Sequence, residues 1–156
     1  NNYGNNHLMD IKFYHLSRAT PAQILPELLA RARAKSHKIM VRCETQNEAD
    51  SINEALWVHP ADSFLPHDLS NSKEAANQSI LIGVDIDNPH GADVLFLMPR
   101  ANADLQGSWS LCCVLLDGSN PEEIAAGRTN WKQWKDAGHT LTYWQQSEQG
   151  KWEQKG

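Results

Sequence analysis

The chain has 156 residues, of which 40% are hydrophobic and 21% are charged. A chain of this length is expected to form one domain that buries its own core without disulfide bonds or a structural metal. The mean hydropathy of -0.57 and the lack of a long apolar run argue against a membrane-spanning helix. The formal net charge of -5 argues against a broad basic face for duplex DNA, so any role at nucleic acid is predicted to be indirect.

The cysteines and the N-terminal residues suggest the compartment and the start of the domain. Cys43, Cys112 and Cys113 show no Cys-x-x-Cys spacing, and no signal-peptide pattern precedes them. We therefore expect reduced thiols and a cytoplasmic protein.

Residues 1–8 are polar and rich in asparagine, and we expect them to be a disordered or vector-derived tail ahead of Met9.

The first predicted strand and helix follow this tail. Beta-prone side chains over residues 11–16 predict a strand. Thr20 then caps a helix that begins with Pro21, and the apolar stripe of that helix continues past Pro26. Because a proline inside a helix removes a hydrogen bond and crowds the preceding turn, the helix is expected either to restart at Pro26 or to be kinked there, and we prefer the restart.

A second strand and helix come next. Residues 38–43 predict the strand, and apolar side chains at helical spacing predict a helix over residues 45–57. Thr45 and Glu48 at the start of this helix have the spacing of a capping box. Residues 58–78 contain two prolines and several serines and asparagines, so they are expected to form turns and loops.

The second half of the chain supplies the predicted centre of the sheet. Residues 79–84, 93–98 and 111–116 are apolar runs of strand length. The last of these runs is apolar on both faces, which a strand achieves only when both sides of its sheet are covered. A helix over residues 121–136, with proline at its first turn, and a strand over residues 140–144 complete the pattern.

Strands that alternate with helices in this way predict an α/β fold. We expect a three-layer, Rossmann-like fold with a mainly parallel central sheet flanked by helices. Residues 9–145 are predicted to be a single domain, and residues 146–156 a polar C-terminal tail.

The sequence lacks the patterns of the common α/β enzymes. The turn after the first strand has no glycine, and neither G-x-G-x-x-G nor the Walker pattern occurs, which argues against nucleotide binding. Cys112 and Cys113 lie in an apolar run, where a thiol has a raised pKa and is unreactive.

The best metal-ligand candidates are His59 with His67, and a second group of Asp85, Asp87, His90 and Asp93. Neither spacing matches a defined ligand set, and solvated loop residues are the favoured interpretation. We predict no catalytic site, no metal and no cofactor.

The predicted last helix carries a basic stripe beside an aromatic side chain. At 100° per residue, Arg128, Lys132 and Lys135 lie immediately beside Trp131. Cations next to an aromatic wall suit an acidic peptide that ends in an apolar residue. The alternative is an ordinary amphipathic helix whose tryptophans are core and whose cations are solvated, and the residues alone favour that alternative.

A second candidate surface precedes the middle of the chain. Trp57 ends the predicted second helix, and Phe64 and Pro66 follow in a proline-stiffened loop. Large aromatic residues in such a setting are typical of interface anchors. Core packing and partner contact are equally plausible for Trp57, whereas loop position favours contact for Phe64.

At this loop the sequence resembles the chi subunit of bacterial DNA polymerase III, an accessory subunit attached to the clamp-loader complex. The middle block NEALWVHPADSFLPHDL, at residues 53–69, is the most specific part of the resemblance. The other matching residues are DIKFYHL at residues 10–16, Cys43-Glu44, Arg128, Trp131, Lys132, Trp134 and Ala137-Gly138. Together they span the chain from Met9 to about Trp144.

The resemblance implies a Rossmann-like fold without nucleotide binding, no catalysis of its own, and two protein partners in DNA replication. One partner is the single-stranded DNA-binding protein, whose acidic C-terminal tail ends in proline and phenylalanine. In the family this tail docks at a basic pair that aligns with Arg128 and Lys132, next to an aromatic residue that aligns with Trp131. The other is the psi subunit, which links chi to the clamp loader through a surface that aligns with Trp57, Phe64 and the adjoining Pro66. The same surface is a candidate for a helicase-type partner.

The sequence departs from the family pattern at one position of the basic stripe. Ile124 stands where the family can place a further cation, one turn before Arg128, so weaker tail binding is expected. The competing function is a small nucleotide- or metal-binding α/β enzyme that uses the histidines and aspartates named above.

Overall fold

The structure of the chain, a computed structural model, describes residues 8–35, 37–57, 66–73, 75, 78–88 and 90–156. Of the predicted tail over residues 1–8, only the exposed Leu8 is therefore described. In chain order the helices and strands are β1 (Asp10–Leu16), α1 (Pro21–Ala34), β2 (Ile39–Arg42), α2 (Gln46–Trp57), β3 (His67–Leu69), β4 (Ile80–Gly83), β5 (Val94–Leu97), β6 (Leu111–Asp117), α3 (Pro121–Asp136), β7 (Thr140–Gln146) and β8 (Trp152–Gln154).

The strands form one eight-stranded sheet in the order β3-β4-β2-β5-β6-β1-β7-β8. Every pairing is parallel except that of β7 with β8, which is antiparallel. Buried side chains of α1 and α2 pack on one face of the sheet, and those of α3 pack on the other. The predicted three-layer, Rossmann-like α/β fold with a mainly parallel sheet is thus confirmed.

Helix α1 differs from its prediction, because it runs through Pro26 without a break. Its start is the predicted one: the Thr20 side chain accepts a hydrogen bond from the Gln23 amide at 3.2 Å, and the Gln23 side chain accepts one from the Thr20 amide at 2.9 Å. The expected restart at Pro26 is wrong, since Leu25 and Leu28, on either side of the proline, are both buried in the same core. Burial of both halves outweighs the one backbone hydrogen bond that proline removes.

Helix α2 begins with a capping arrangement shifted by one residue. The Thr45 hydroxyl accepts a hydrogen bond from the Glu48 amide at 3.2 Å, as the pattern predicts. The Glu48 carboxylate, however, accepts one from the amide of Glu44 at 3.0 Å rather than from that of Thr45. The helix then continues to Trp57, the predicted end.

Two short strands are additions to the predicted pattern. Strand β3 lies in the stretch expected to be turns, and β8 lies in the stretch expected to be a polar tail. Trp152 of β8 packs edge-on against Tyr14, with 5.1 Å between ring centroids. An edge strand with one large apolar anchor has too few hydrophobic residues to stand out in a polar sequence.

The three cysteines are buried and free. Burial raises the pKa of the Cys43 and Cys113 thiols to about 12 and raises that of Cys112 as well. The expectation of raised thiol pKa values in the apolar run is confirmed. Within the described ranges, no helix combines the length and the apolarity needed to cross a bilayer.

Candidate functional site

The candidate site lies along helix α3, which begins and ends at the predicted residues. Asn120 caps the helix by accepting hydrogen bonds from the amides of Glu122 and Glu123, at 3.0 and 3.4 Å, and Pro121 occupies the first turn. After the helix, Gly138 adopts a positive φ of 102°, which favours glycine. These boundaries set which side chains of α3 face the sheet.

An aromatic cluster joins α3 to strands β1 and β7. The ring of Phe13 lies 5.3 Å from that of Trp131, 5.9 Å from that of Trp134 and 6.1 Å from that of Tyr143. Trp134 is buried, whereas Trp131 is only half-buried and meets Tyr143 edge-on at 5.9 Å. The interpretation of both tryptophans as core is therefore correct for Trp134 and only partly so for Trp131.

A cavity of about 210 Å³ opens beside this cluster. Its lining residues are Leu116, Ile124, Gly127, Arg128, Trp131 and Tyr143. Gly127 packs closely against β6, because a Cβ atom there would come within 3.0 Å of Leu116 Cδ1. The absence of a side chain at Gly127 thus leaves room between the helix and the sheet.

The three predicted cations differ in how close they lie to this cavity. Arg128 lines both the cavity and a shallower surface depression of about 530 Å³, which Lys132 also lines. Lys135 is exposed on the last turn and lines neither of the two. Among the described residues, none of the three forms an ion pair with a carboxylate. The structure therefore brings Arg128, Trp131 and Lys132 together and leaves Lys135 at the margin.

Two polar side chains of this site escaped prediction. His15 Nδ1 and the Tyr143 hydroxyl are 2.7 Å apart, in hydrogen-bonding contact. Burial lowers the pKa of His15, and the charge of Arg128 lowers it further. Burial raises the pKa of Tyr143, and Arg128 opposes that rise. The available signal was strand alternation: the register pairs Phe13 with Tyr143, which places His15 and Tyr143 on one face once β1 and β7 are known to be neighbours.

The second candidate surface lies at the end of α2. Trp57 is 52% exposed, and its ring centroid lies 4.2 Å from that of the buried His67. Pro66 is half-buried, and its carbonyl accepts a hydrogen bond from the Ile80 amide at 3.2 Å. Phe64 lies outside the described residues. The structure therefore places an accessible Trp57 against His67, the residue that follows Pro66.

The residues of the competing metal-site interpretation have structural partners. His67 Nε2 is 3.0 Å from the Asn53 carbonyl, and His90 Nε2 is 3.0 Å from that of Ile39. Asp93 accepts hydrogen bonds from His37 Nδ1 at 2.8 Å and from a backbone amide. His59 lies outside the described residues, and Asp85 and Asp87 are exposed. In the part of the chain that the structure describes, no group of three or more such side chains is arranged to hold a metal ion.

The crevice at the carboxyl ends of the strands, where many α/β folds bind nucleotides, holds an ion-pair network. A cavity of about 330 Å³ there is lined by Arg100, Asn120 and Glu123 among others. Arg100 pairs with Glu44 at 3.0 Å and also with Glu123, the side chain of which is buried. The carboxylates already neutralise this arginine, which makes the crevice a poor phosphate site.

Comparisons with known proteins point to one family. Residues 8–142 match the family described as "DNA polymerase III chi subunit, HolC". A protein named "DNA polymerase III subunit chi" from Escherichia coli (strain K12) is 35% identical over 48 residues, which are 31% of this chain and 33% of that protein. A "Probable DNA polymerase III subunit chi" from Rickettsia prowazekii (strain Madrid E) is 22% identical over 91 residues, which are 58% of this chain and 55% of that protein. These alignments thus cover a third to about half of the relatives' own lengths.

The family match includes the β1 strand, both candidate surfaces and all of α3, and it agrees with the resemblance noted from the residues alone. Since the matched range is most of the chain, the protein belongs to the DNA polymerase III chi subunit family.

Proposed function

We propose that this protein is a non-catalytic accessory subunit of DNA polymerase III that captures the acidic C-terminal tail of the single-stranded DNA-binding protein in the cleft beside α3. A second surface, at Trp57, Phe64 and Pro66, binds the psi subunit and so reaches the clamp loader. The observation that carries the proposal is the 210 Å³ cavity lined by Arg128, which has no carboxylate partner among the described residues.

The cavity has the size and lining for the terminal phenylalanine ring. An apolar cavity of roughly 150 Å³ is enough to hold benzene. Leu116 and Ile124 supply aliphatic walls, and Trp131 supplies an aromatic one. Ile124 stands where the family can have a cation, and here it extends the apolar lining instead. Burial of the ring is therefore expected to contribute more affinity than any single ion pair.

The cations beside the cavity match the negative charge of the tail. Arg128 is close enough to the cavity to receive the terminal carboxylate, and Lys132 lies one turn farther along α3 to meet an acidic side chain. Because the whole protein carries a net charge of -5, attraction of an acidic peptide depends on these local cations. Their solvent exposure means that salt screens the interaction.

The position of Trp57 supports the second half of the proposal. Trp57 ends α2, which packs against β3 and β4 at one edge of the sheet. Helix α3 packs on the opposite face, against β6 and β7, toward the end of the sheet that β8 closes. The two surfaces are thus separate, and simultaneous binding would tether the clamp loader to coated single strands and raise its effective concentration there.

The test is calorimetry with a synthetic acidic peptide that ends in Pro-Phe. The wild-type protein is expected to bind it with micromolar-scale affinity that weakens as salt rises. The variant carrying both Arg128→Ala and Lys132→Ala is expected to bind at least about tenfold more weakly. Arg31→Ala is the matched control, because Arg31 is an exposed arginine of α1 on the other face of the sheet. Equal affinity of the double variant and the control would refute the site.

A further inference from the structure

We propose that Tyr143 is a second binding residue for the terminal carboxylate of the captured tail, and that His15 is the positioning residue that orients its hydroxyl. This inference rests on the proposed function and adds to it the recognition of the chain end itself. It assigns to β1 and β7 a direct part in a site that the sequence places on α3 alone.

The first step is that two of the side chains that line the cavity, those of Arg128 and Tyr143, can donate hydrogen bonds. The positive charge of Arg128 acts on Tyr143 and on His15. The Tyr143 hydroxyl is in hydrogen-bonding contact with His15 at 2.7 Å. A carboxylate that pairs with Arg128 therefore has the Tyr143 hydroxyl as a second donor nearby. Two donors hold a carboxylate in one orientation better than one donor does.

The second step concerns the direction of the hydrogen bond between His15 and Tyr143. If Nδ1 carries the proton, His15 donates to the Tyr143 oxygen, and the phenol hydrogen is free to point into the cavity. If Nδ1 is bare, the phenol donates to His15 instead. A bound carboxylate selects the first arrangement, in which His15 donates to Tyr143 and Tyr143 donates to the ligand. His15 and Tyr143 each carry one proton in both arrangements, so the bound carboxylate selects between the two His15 tautomers without net proton transfer.

The third step is the rigidity of Tyr143. Its ring stacks on Phe13 with an interplanar angle of 14° and a centroid distance of 6.1 Å. Its backbone is held on the other side by Lys155, whose amide donates to the Tyr143 carbonyl at 2.6 Å, and by the Gly156 carbonyl, which accepts from the Tyr143 amide at 3.3 Å. A donor fixed in this way loses little conformational entropy when the ligand binds.

The experiment compares two synthetic peptides of the same acidic sequence ending in Pro-Phe, one with a free C-terminal carboxylate and one with a C-terminal amide. Wild-type protein is expected to prefer the free acid. Tyr143→Phe keeps the aromatic wall and removes the hydroxyl, so it is expected to bind the acid about fivefold to tenfold more weakly and the amide with nearly unchanged affinity. Tyr14→Phe is the matched control, because Tyr14 loses the same hydroxyl on the opposite face of the sheet.

The role of His15 has its own pair of variants. In His15→Asn the amide nitrogen takes the place of Nδ1 and can still donate, so preference for the acid is expected to survive. His15→Ala removes the donor and is expected to reduce that preference by about threefold.

Three outcomes would overturn the inference, and each has a different meaning. If Tyr143→Phe binds the acid as tightly as wild type does, or weakens both peptides equally, Tyr143 is only a packing residue, and the proposed function stands without this step. If His15→Asn and His15→Ala behave alike, the orienting role of His15 is wrong. If wild type binds neither peptide, the proposed function fails, and this inference fails with it.

Discussion

A substitution at Gly127 tests the role of the cavity in peptide binding separately from the stability of the fold. Replacing Gly127 with alanine adds one methyl group between α3 and β6. That carbon would lie 3.0 Å from Leu116 Cδ1 and 3.2 Å from Leu116 Cδ2, closer than carbon atoms normally approach. Leu116 is buried, and both Leu116 and Gly127 line this cavity as well as the 330 Å³ cavity at the carboxyl ends of the strands, so the added methyl group and the displaced leucine side chain both reduce the space at the candidate cavity's wall.

Two effects of Gly127→Ala on folding stability oppose each other. Alanine is favoured over glycine inside a helix by about 1 kcal/mol. Overpacking of a close contact costs about 1–3 kcal/mol, with the lower end expected because a leucine side chain can rotate. The free energy of unfolding is therefore expected to fall by no more than about 2 kcal/mol. Peptide affinity has no such compensation, and a partly filled cavity is expected to weaken binding by about tenfold.

Urea unfolding and calorimetry with the acidic peptide measure the two quantities on the same protein. Ala126→Gly is the matched control, since it alters the neighbouring exposed position of α3 in the opposite sense without touching Leu116. Unchanged peptide affinity in Gly127→Ala, with the protein folded, would show that the ligand does not use this cavity.

The remaining predictions concern the other surface and the response to pH. Trp57→Ala is expected to abolish co-purification with psi while leaving peptide affinity and thermal stability nearly unchanged, because the ring is 52% exposed; loss of peptide binding as well would indicate misfolding. Burial lowers the pKa of His90 from its ordinary value of 6.5, so the folded state favours the neutral ring. The stability contribution is complete above pH 6.5 and is lost as the pH falls toward the lowered value, at up to about 1.4 kcal/mol per pH unit. His90→Gln is expected to reduce this slope in urea unfolding between pH 7.5 and 5.5, and an identical slope would contradict the assignment.

The predictable parts of the fold are those in which local pattern and tertiary structure agree. The limits of α3 follow from its capping asparagine and first-turn proline, and β6 follows from an apolar run that needs cover on both faces. Pro26 shows the opposite case, since local chemistry favours a break and the shared core of both halves overrides it. Strand β8 was not predicted from the sequence, because an edge strand that packs mainly through Trp152 needs few hydrophobic residues.

The residues of the candidate site also differ in whether the sequence predicts them. Arg128, Trp131 and Lys132 share one helix, so helical periodicity alone brings them together. Tyr143 and His15 come from strands that are 128 residues apart in the chain and adjacent only in the sheet. Periodicity carries no information about which strands are neighbours, and the cavity depends on that order as well as on Gly127. The two residues were therefore beyond the reach of pattern, although both lie on predicted strands.

The most direct test of tail capture beside α3 is an NMR titration of the labelled protein with the acidic Pro-Phe peptide. If the tail binds there, the NMR signals of the Leu116 and Ile124 methyl groups and of the Trp131 indole are expected to shift together and to saturate at one stoichiometric equivalent, while the signal of the accessible Trp57 indole does not move. Shifts gathered around Trp57, or in the crevice at Arg100, with the cavity methyl groups unmoved, would contradict this binding site.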